Sequence, residues 1–265
     1  MDKKEDKSLV LVTAGSEILG SAAGAAIGLL GGPITSIAGA ASGPVLVRIF
    51  KKICEEFYDR QIGKRQKIRA GATAGFAILQ IQERLDAGDE IRNDDFFDEK
   101  GSRSSAEEVF EGVLIKSHNE HEEKKTEYYA NIFSTAAFDA RFTPESLNHF
   151  LSISERLTYR QLCQLQIFYD SRLFQLFEGE YNANYMQNVS FEKMAVLHEM
   201  YELYQLRLLK FQIPGYEYID DYMSFDQIRP AWIFLSDLGE KIRHLMQLQT
   251  IPTDDLEIVA TYFKD

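Results

Sequence analysis

From Ile18 to Val47 the chain runs thirty residues without one charged side chain, and within that run Gly20, Gly24 and Gly28 recur at every fourth position. Glycine costs roughly 1 kcal/mol per helical position relative to alanine, so a helix with this pattern must regain stability by packing closely against another backbone. Spacing of i, i+4 and i+8 lays the three glycines along one stripe, the small-xxx-small arrangement through which helices associate in lipid. A Gly-Gly-Pro break at 31–33 ends the first arm, and Gly39 and Gly43 continue a second. Lys3, Lys4 and Lys7 precede the segment and Arg48, Lys51 and Lys52 follow it, as expected of a hairpin that enters a membrane and returns to the cytoplasmic face. The first arm, Leu9 to Leu30, has 22 residues, and a span needs about 20. The second is short unless it continues, kinked at Pro44, to Phe50. Glu17 then faces a packed interior or an aqueous lumen. Two other readings stay open: a cleavable signal peptide, which Glu17 and the repeated glycines fit poorly, and a glycine-lined hairpin at the core of a soluble oligomer.

Charge is unevenly spread. The net value of −12 argues against a surface that tracks a phosphate backbone throughout. Residues 48–69 nevertheless carry eight Lys or Arg against Glu55, Glu56 and Asp59. Within that stretch Arg60, Lys64, Arg65, Lys67 and Arg69 have the density needed for phosphate. Read as one helix, it puts Arg60, Lys64 and Lys67 near one face and Arg65 and Arg69 on a neighbouring one. Lipid head groups and an oligonucleotide compete as ligands, and a plain solvated face is the bland account. Cys54 and Cys163 form no CxxC pair, so neither a disulfide framework nor a zinc cluster is indicated, and the bulk of the chain suits a reducing cytosol.

The remainder predicts an all-α protein. "RAGATAGFAILQIQERLDAG" has helical periodicity and ends in glycine. Ser105 with Glu108 makes a capping box at the head of a stretch to about Asp139 with one glycine and no proline, which predicts a central helix about 50 Å long. Thr143 before Pro144 marks the next helix start, Thr158 with Gln161 a second box, and Ser190 another cap. On the long helix His118, His121 and Glu122 fall on one face and could hold zinc with a fourth ligand from elsewhere. This is not HExxH, and a solvated polar face is the better account. There is no Walker loop, no GxGxxG and no GxSxG, so neither an enzyme nor a cofactor is expected; a metal enzyme using His118 and His121 is the minor alternative.

Helices followed by a short β-rich stretch and then "IFLSDLGEKIRHL" resemble bacterial winged-helix domains, over roughly residues 144–249. Winged helices most often bind nucleic acid through the third helix, but here that helix, "EKMAVLHEMYELYQLRLLK", is too acidic for DNA, so such a module is expected to serve protein contacts or packing. The whole order divides into a glycine-zipper transmembrane hairpin (1–50), a basic juxtamembrane helix with a helical stalk (51–141) and a C-terminal helical, winged-helix-like domain (142–265). It resembles the channel-type membrane effectors of bacterial anti-phage defence, most of all those of Hailong systems. That resemblance implies a homo-oligomeric pore, a tetramer favoured, in the bacterial inner membrane with most of the chain cytoplasmic. It implies gating by a nucleotide or oligonucleotide signal, an oligonucleotide coming from a partner nucleotidyltransferase, with membrane depolarisation and growth arrest as the outcome. The alternative is a soluble winged-helix-type oligomeric interaction or regulatory protein.

Overall fold

Helix α1, Gly43–Tyr58, places Leu46, Ile49, Phe50, Ile53, Cys54 and Phe57 on a single buried stripe, the i, i+3, i+4, i+7 spacing of a helix with one face in a core. The computed structural model containing it describes residues 43–182, 185, 187–212, 223–225 and 227–264. The chain is mostly helical and divides into two compact units, Met1–Arg156 and Leu157–Asp265.

In the first unit, α2 (Lys64–Asp86) is the central element. From Ala70 to Ile78 every residue is buried, most of them Ala or Gly, and α3 (Ser105–Asn119) and α4 (Thr126–Ala136) pack against it. Phe50 meets Phe110 edge-on at 4.9 Å between ring centroids, and Phe110 lies 4.8 Å from Phe133, so α1, α3 and α4 share one aromatic core. Helix α5 (Pro144–Arg156) packs on α3 and α4, and the amide of Ser146 donates to Thr143 Oγ1 at 3.3 Å, as the Thr-Pro start predicts. Strands β1 (Glu99–Lys100) and β2 (Arg103–Ser104) form a small antiparallel ribbon. Buried Arg92 reaches back to the end of α4. It donates to the carbonyls of Ala136, Asp139 and Phe142 at 3.2, 3.3 and 2.9 Å and pairs with Asp94, satisfying acceptors that a helix end leaves open.

Two expectations are corrected here. The long central helix is broken: α3 ends at Asn119, Glu120 is extended, and a 3-10 turn at Glu123–Lys125 leads into α4. The Glu120 carboxylate accepts the amides of His121 and Glu122 at 2.8 and 3.0 Å and is buried with Lys125 and Tyr129, so its side chain holds the break. The opening capping box is also one residue earlier than read, Ser104 with Glu107.

The membrane pore is overturned. Among the described residues no helix is long and apolar enough to cross a membrane. Residues 43–50, the proposed extension of the second arm, are the start of α1, with Leu46, Ile49 and Phe50 in the core and Arg48 paired with Glu99 at 3.0 Å. Pro44 stands at the head of that helix, where proline is tolerated, and not in a kinked span.

In the second unit, α6 (Tyr159–Tyr169) is buried from Gln161 to Phe168, with the predicted Thr158–Gln161 box closing its start. After the short α7 (Ser171–Phe174) come β3 (Tyr181–Asn182), α8 (Phe191–Gln205), β4 (Leu209–Phe211), β5 (Gln227–Ile228) and β6 (Ile233–Leu235). Helices α9 (Asp237–Leu245) and α10 (Thr253–Ala260) follow. Strand β3 pairs with β5, and β4 with β6 in the register Leu209 to Leu235, both antiparallel. A 3-10 turn at Pro230–Trp232 separates β5 from β6, so residues 227–235 bridge β3 to β4 as one interrupted strand.

Candidate functional site

The basic run is spread over two different local structures. Arg60 lies in the turn between α1 and α2, because the first helix ends at Tyr58 and the second begins only at Lys64; the shared face with Lys64 and Lys67 therefore does not form as read. Arg60 stacks over Phe57 at 4.6 Å and pairs with Glu111. Glu111 also meets Arg103, which in turn pairs with Glu56. Arg69 donates to the carbonyl of His118 at 2.9 Å, capping the end of α3. Lys67 bonds the Tyr58 carbonyl at 2.8 Å and covers its ring. Arg65 is exposed and pairs with Glu123 at 2.6 Å, and Lys64 is exposed. Arg60, Arg65, Lys67 and Arg69 thus all have partners within the first unit, two of them carboxylates.

The histidine-carboxylate group is also rearranged. His118 is half-buried, edge-on to Phe57 at 5.4 Å, with its Nδ1 enclosed and unbonded. Burial holds its pKa below the ordinary histidine value, and the charges of Arg60 and Arg69 push the same way. His121 and Glu122 converge instead with Glu120, their ligand atoms within 4.8 Å of one another. The chemistry of this set favours a structural role. Glu120 is already held by Lys125, Tyr129 and two backbone amides. Burial alone would raise its pKa, yet those donors outweigh it and hold the carboxyl below its usual value. Gly20, Gly24, Gly28, Gly39 and Glu17 lie outside the described residues, and Gly43 is the buried first residue of α1.

On the second unit, α8 is the helix in the reading position of the winged-helix resemblance. Ser190 caps it by accepting from the amide of Lys193 at 3.2 Å. Val196, Leu197, Met200, Leu203 and Tyr204 face the core. Along the side toward α6, Arg160 holds Glu192 and Glu199, and Gln161 donates to Glu202 at 3.1 Å. Arg160 is raised even above its ordinary range, first by the hydrogen bond to Glu199. Away from the core, Phe191, Ala195, His198, Glu202 and Gln205, spaced i, i+4, i+7, i+11 and i+14, make a single outward stripe that adjoins the α6 side at Glu202. Phe191 is 87% exposed. Phe225 lies against this helix, 5.5 Å from the ring of Tyr201 and 6.1 Å from that of His198.

No family model matches the chain, and neither the curated proteins nor the solved structures contain a match.

Proposed function

We propose that residues 157–265 form a winged-helix-type module that binds a protein partner through α8. The order supports the first half of this reading: a buried helix, a strand, the outward helix α8, then β4 paired with β6, and β6 running directly into α9. The resemblance is at the level of fold, which by itself does not assign function. The observation that carries the second half is the outward stripe of α8, which contains no Lys or Arg. A reading helix meets a polyanion, and cationic side chains supply most of that attraction; here the flanking Arg160 is committed to Glu192 and Glu199.

The test is an anisotropy titration of the full chain with a labelled duplex DNA at ~0.15 M salt. Binding is expected to be no tighter than the ~10⁻⁴ M edge of non-specific association. Micromolar or tighter binding with a steep salt dependence would refute the assignment.

A further inference from the structure

We infer that the outward face of α8 is a docking surface for a basic amphipathic helix of a partner protein. This deepens the preceding reading and rests on it.

Three features of the face select that occupant. First, its anchor is aromatic and almost fully solvated: Phe191 is 87% exposed at the head of the helix, and exposed aromatics of this kind dominate binding energy when a partner covers them. Second, the face has two unlike flanks. Met194 and Tyr201, with Phe225 packed on Tyr201 at 5.5 Å, form an apolar flank. Glu202, next to Glu192 and Glu199 that share the single cation Arg160, gives the other a net negative charge. Glu202 is half exposed, one oxygen held by Gln161 and the other 3.7 Å from His198, where a partner Lys or Arg can reach it. Third, the surrounding field has the same sign, because residues 157–265 hold nine Lys or Arg against sixteen Asp or Glu. A negative surface speeds the approach of a cationic partner and disfavours an anionic one.

Length fits a helix as well. From Phe191 to Gln205 the stripe extends about 21 Å at 1.5 Å per residue, enough for four turns of a partner whose apolar row lies on Phe191 and Tyr201 and whose basic side chains reach Glu202. This is the helix-in-groove mode of peptide recognition. A second copy of this chain fits less well, since the same acidic flank would face itself.

The experiment uses the full chain and two labelled synthetic peptides of about 18 residues, one a Leu/Lys amphipathic helix and the other its Leu/Glu counterpart, at ~0.15 M salt. The Leu/Lys peptide is expected to bind and the Leu/Glu peptide not to. Phe191→Ala should weaken the complex about tenfold, and Glu202→Lys should weaken it and flatten its salt dependence. Phe191 lies outside the core, so melting of Phe191→Ala followed by the single tryptophan, Trp232, should be unchanged. Equal binding of the two peptides, or an unchanged affinity in Phe191→Ala, overturns the inference. So does light scattering that shows Phe191→Ala converting a dimer to a monomer, since a second copy then covers the face. Tight DNA binding would sink the underlying reading, whereas weak DNA binding with Phe191-independent peptide binding sinks only the docking face.

Discussion

Gly239 stands in the Leu-Gly pair of "LSDLGEK", and the local rule for it is misleading. It lies in the first turn of α9, where replacing glycine by alanine should stabilise a helix by about 1 kcal/mol. A Cβ built on Gly239, however, would sit 2.1 Å from the carbonyl oxygen of Leu208 and 3.2 Å from Leu235 Cγ. Leu208 cannot retreat freely. Its amide bonds the carbonyl of Leu203 at 3.0 Å, its own carbonyl accepts from Ser236 at 3.0 Å, and Leu209 beside it is in register with Leu235. Relieving the contact means moving backbone by more than about 1 Å, with overpacking costs of about 1–3 kcal/mol and about 1–3 kcal/mol more if the Leu208 carbonyl loses its donor. Against the propensity gain, Gly239→Ala should destabilise the second unit by about 3 kcal/mol. For a unit of this size, that lowers Tm by roughly 15 °C. Trp232 is the only tryptophan and lies in this unit, so its fluorescence during urea or thermal unfolding reports the change selectively. A Gly239→Ala chain at least as stable as the original would refute the close approach of α9 to the α8–β4 junction.

In the first unit, Lys125→Met should destabilise by about 3–5 kcal/mol, because it leaves the buried Glu120 without its cation; Lys125→Met with Glu120→Gln should recover much of that loss in chemical denaturation. Arg207, at φ 60°, occupies the left-handed position that closes α8, with the Leu208 amide bonding back to Leu203, so Arg207→Gly should raise stability by about 1 kcal/mol, and a drop would argue against that cap. Acid should weaken the fold in two stages. The folded pKa of His118 lies below its ordinary value, so its contribution is complete above about pH 6.5 and declines as pH falls below that, because the unfolded chain takes up the proton more readily. Asp94, Glu107 and Glu120 are also lowered, and their contribution, present above about pH 4.5, is lost only at lower pH. Urea unfolding of His118→Gln across pH 7 to 4 should lack the upper stage; an unchanged profile would rule His118 out as its source.

Signals that act within a few residues were legible. Thr143 with Pro144, Thr158 with Gln161, and Ser190 each start a helix in the structure, since a cap is satisfied by the three residues after it. At the head of α3 two registers, Ser104 with Glu107 and Ser105 with Glu108, compete locally. The first prevails where Lys52 of α1 reaches the buried Glu107 at 3.0 Å, a partner 55 residues away. The break at Glu120 was hidden for the same reason. Periodicity continues through it without proline, and what holds it is a buried ion pair with Lys125 and a phenol from the following helix. Once that break is present, His118 and His121 cannot share a helical face, and His118 turns to Phe57. The basic run looked free because the carboxylates that meet it, Glu111 and Glu123, lie some fifty residues downstream.

The small-residue spacing of Gly20, Gly24 and Gly28 recurs on α2, where its surroundings are protein. Gly71 and Gly75 stand four apart on α2 among Ala70, Ala72, Ala74 and Ala77, all buried. Around them are α3 and α4, not hydrocarbon. Thr73 bonds Ser117 and the carbonyl of Thr126, and Ser134 bonds Gln80 at 2.6 Å, so hydroxyls and amides tie helices that the absence of bulk lets approach. Charged Arg69 precedes this stretch and Glu83 follows it, leaving it too short to span a bilayer. The spacing therefore encodes how near two helix axes can come. Which medium surrounds them is decided by the length of the uncharged run and by what meets the charges beside it; the two that follow Val47 on α1, Arg48 and Lys52, are met by Glu99 and Glu107 within the first unit.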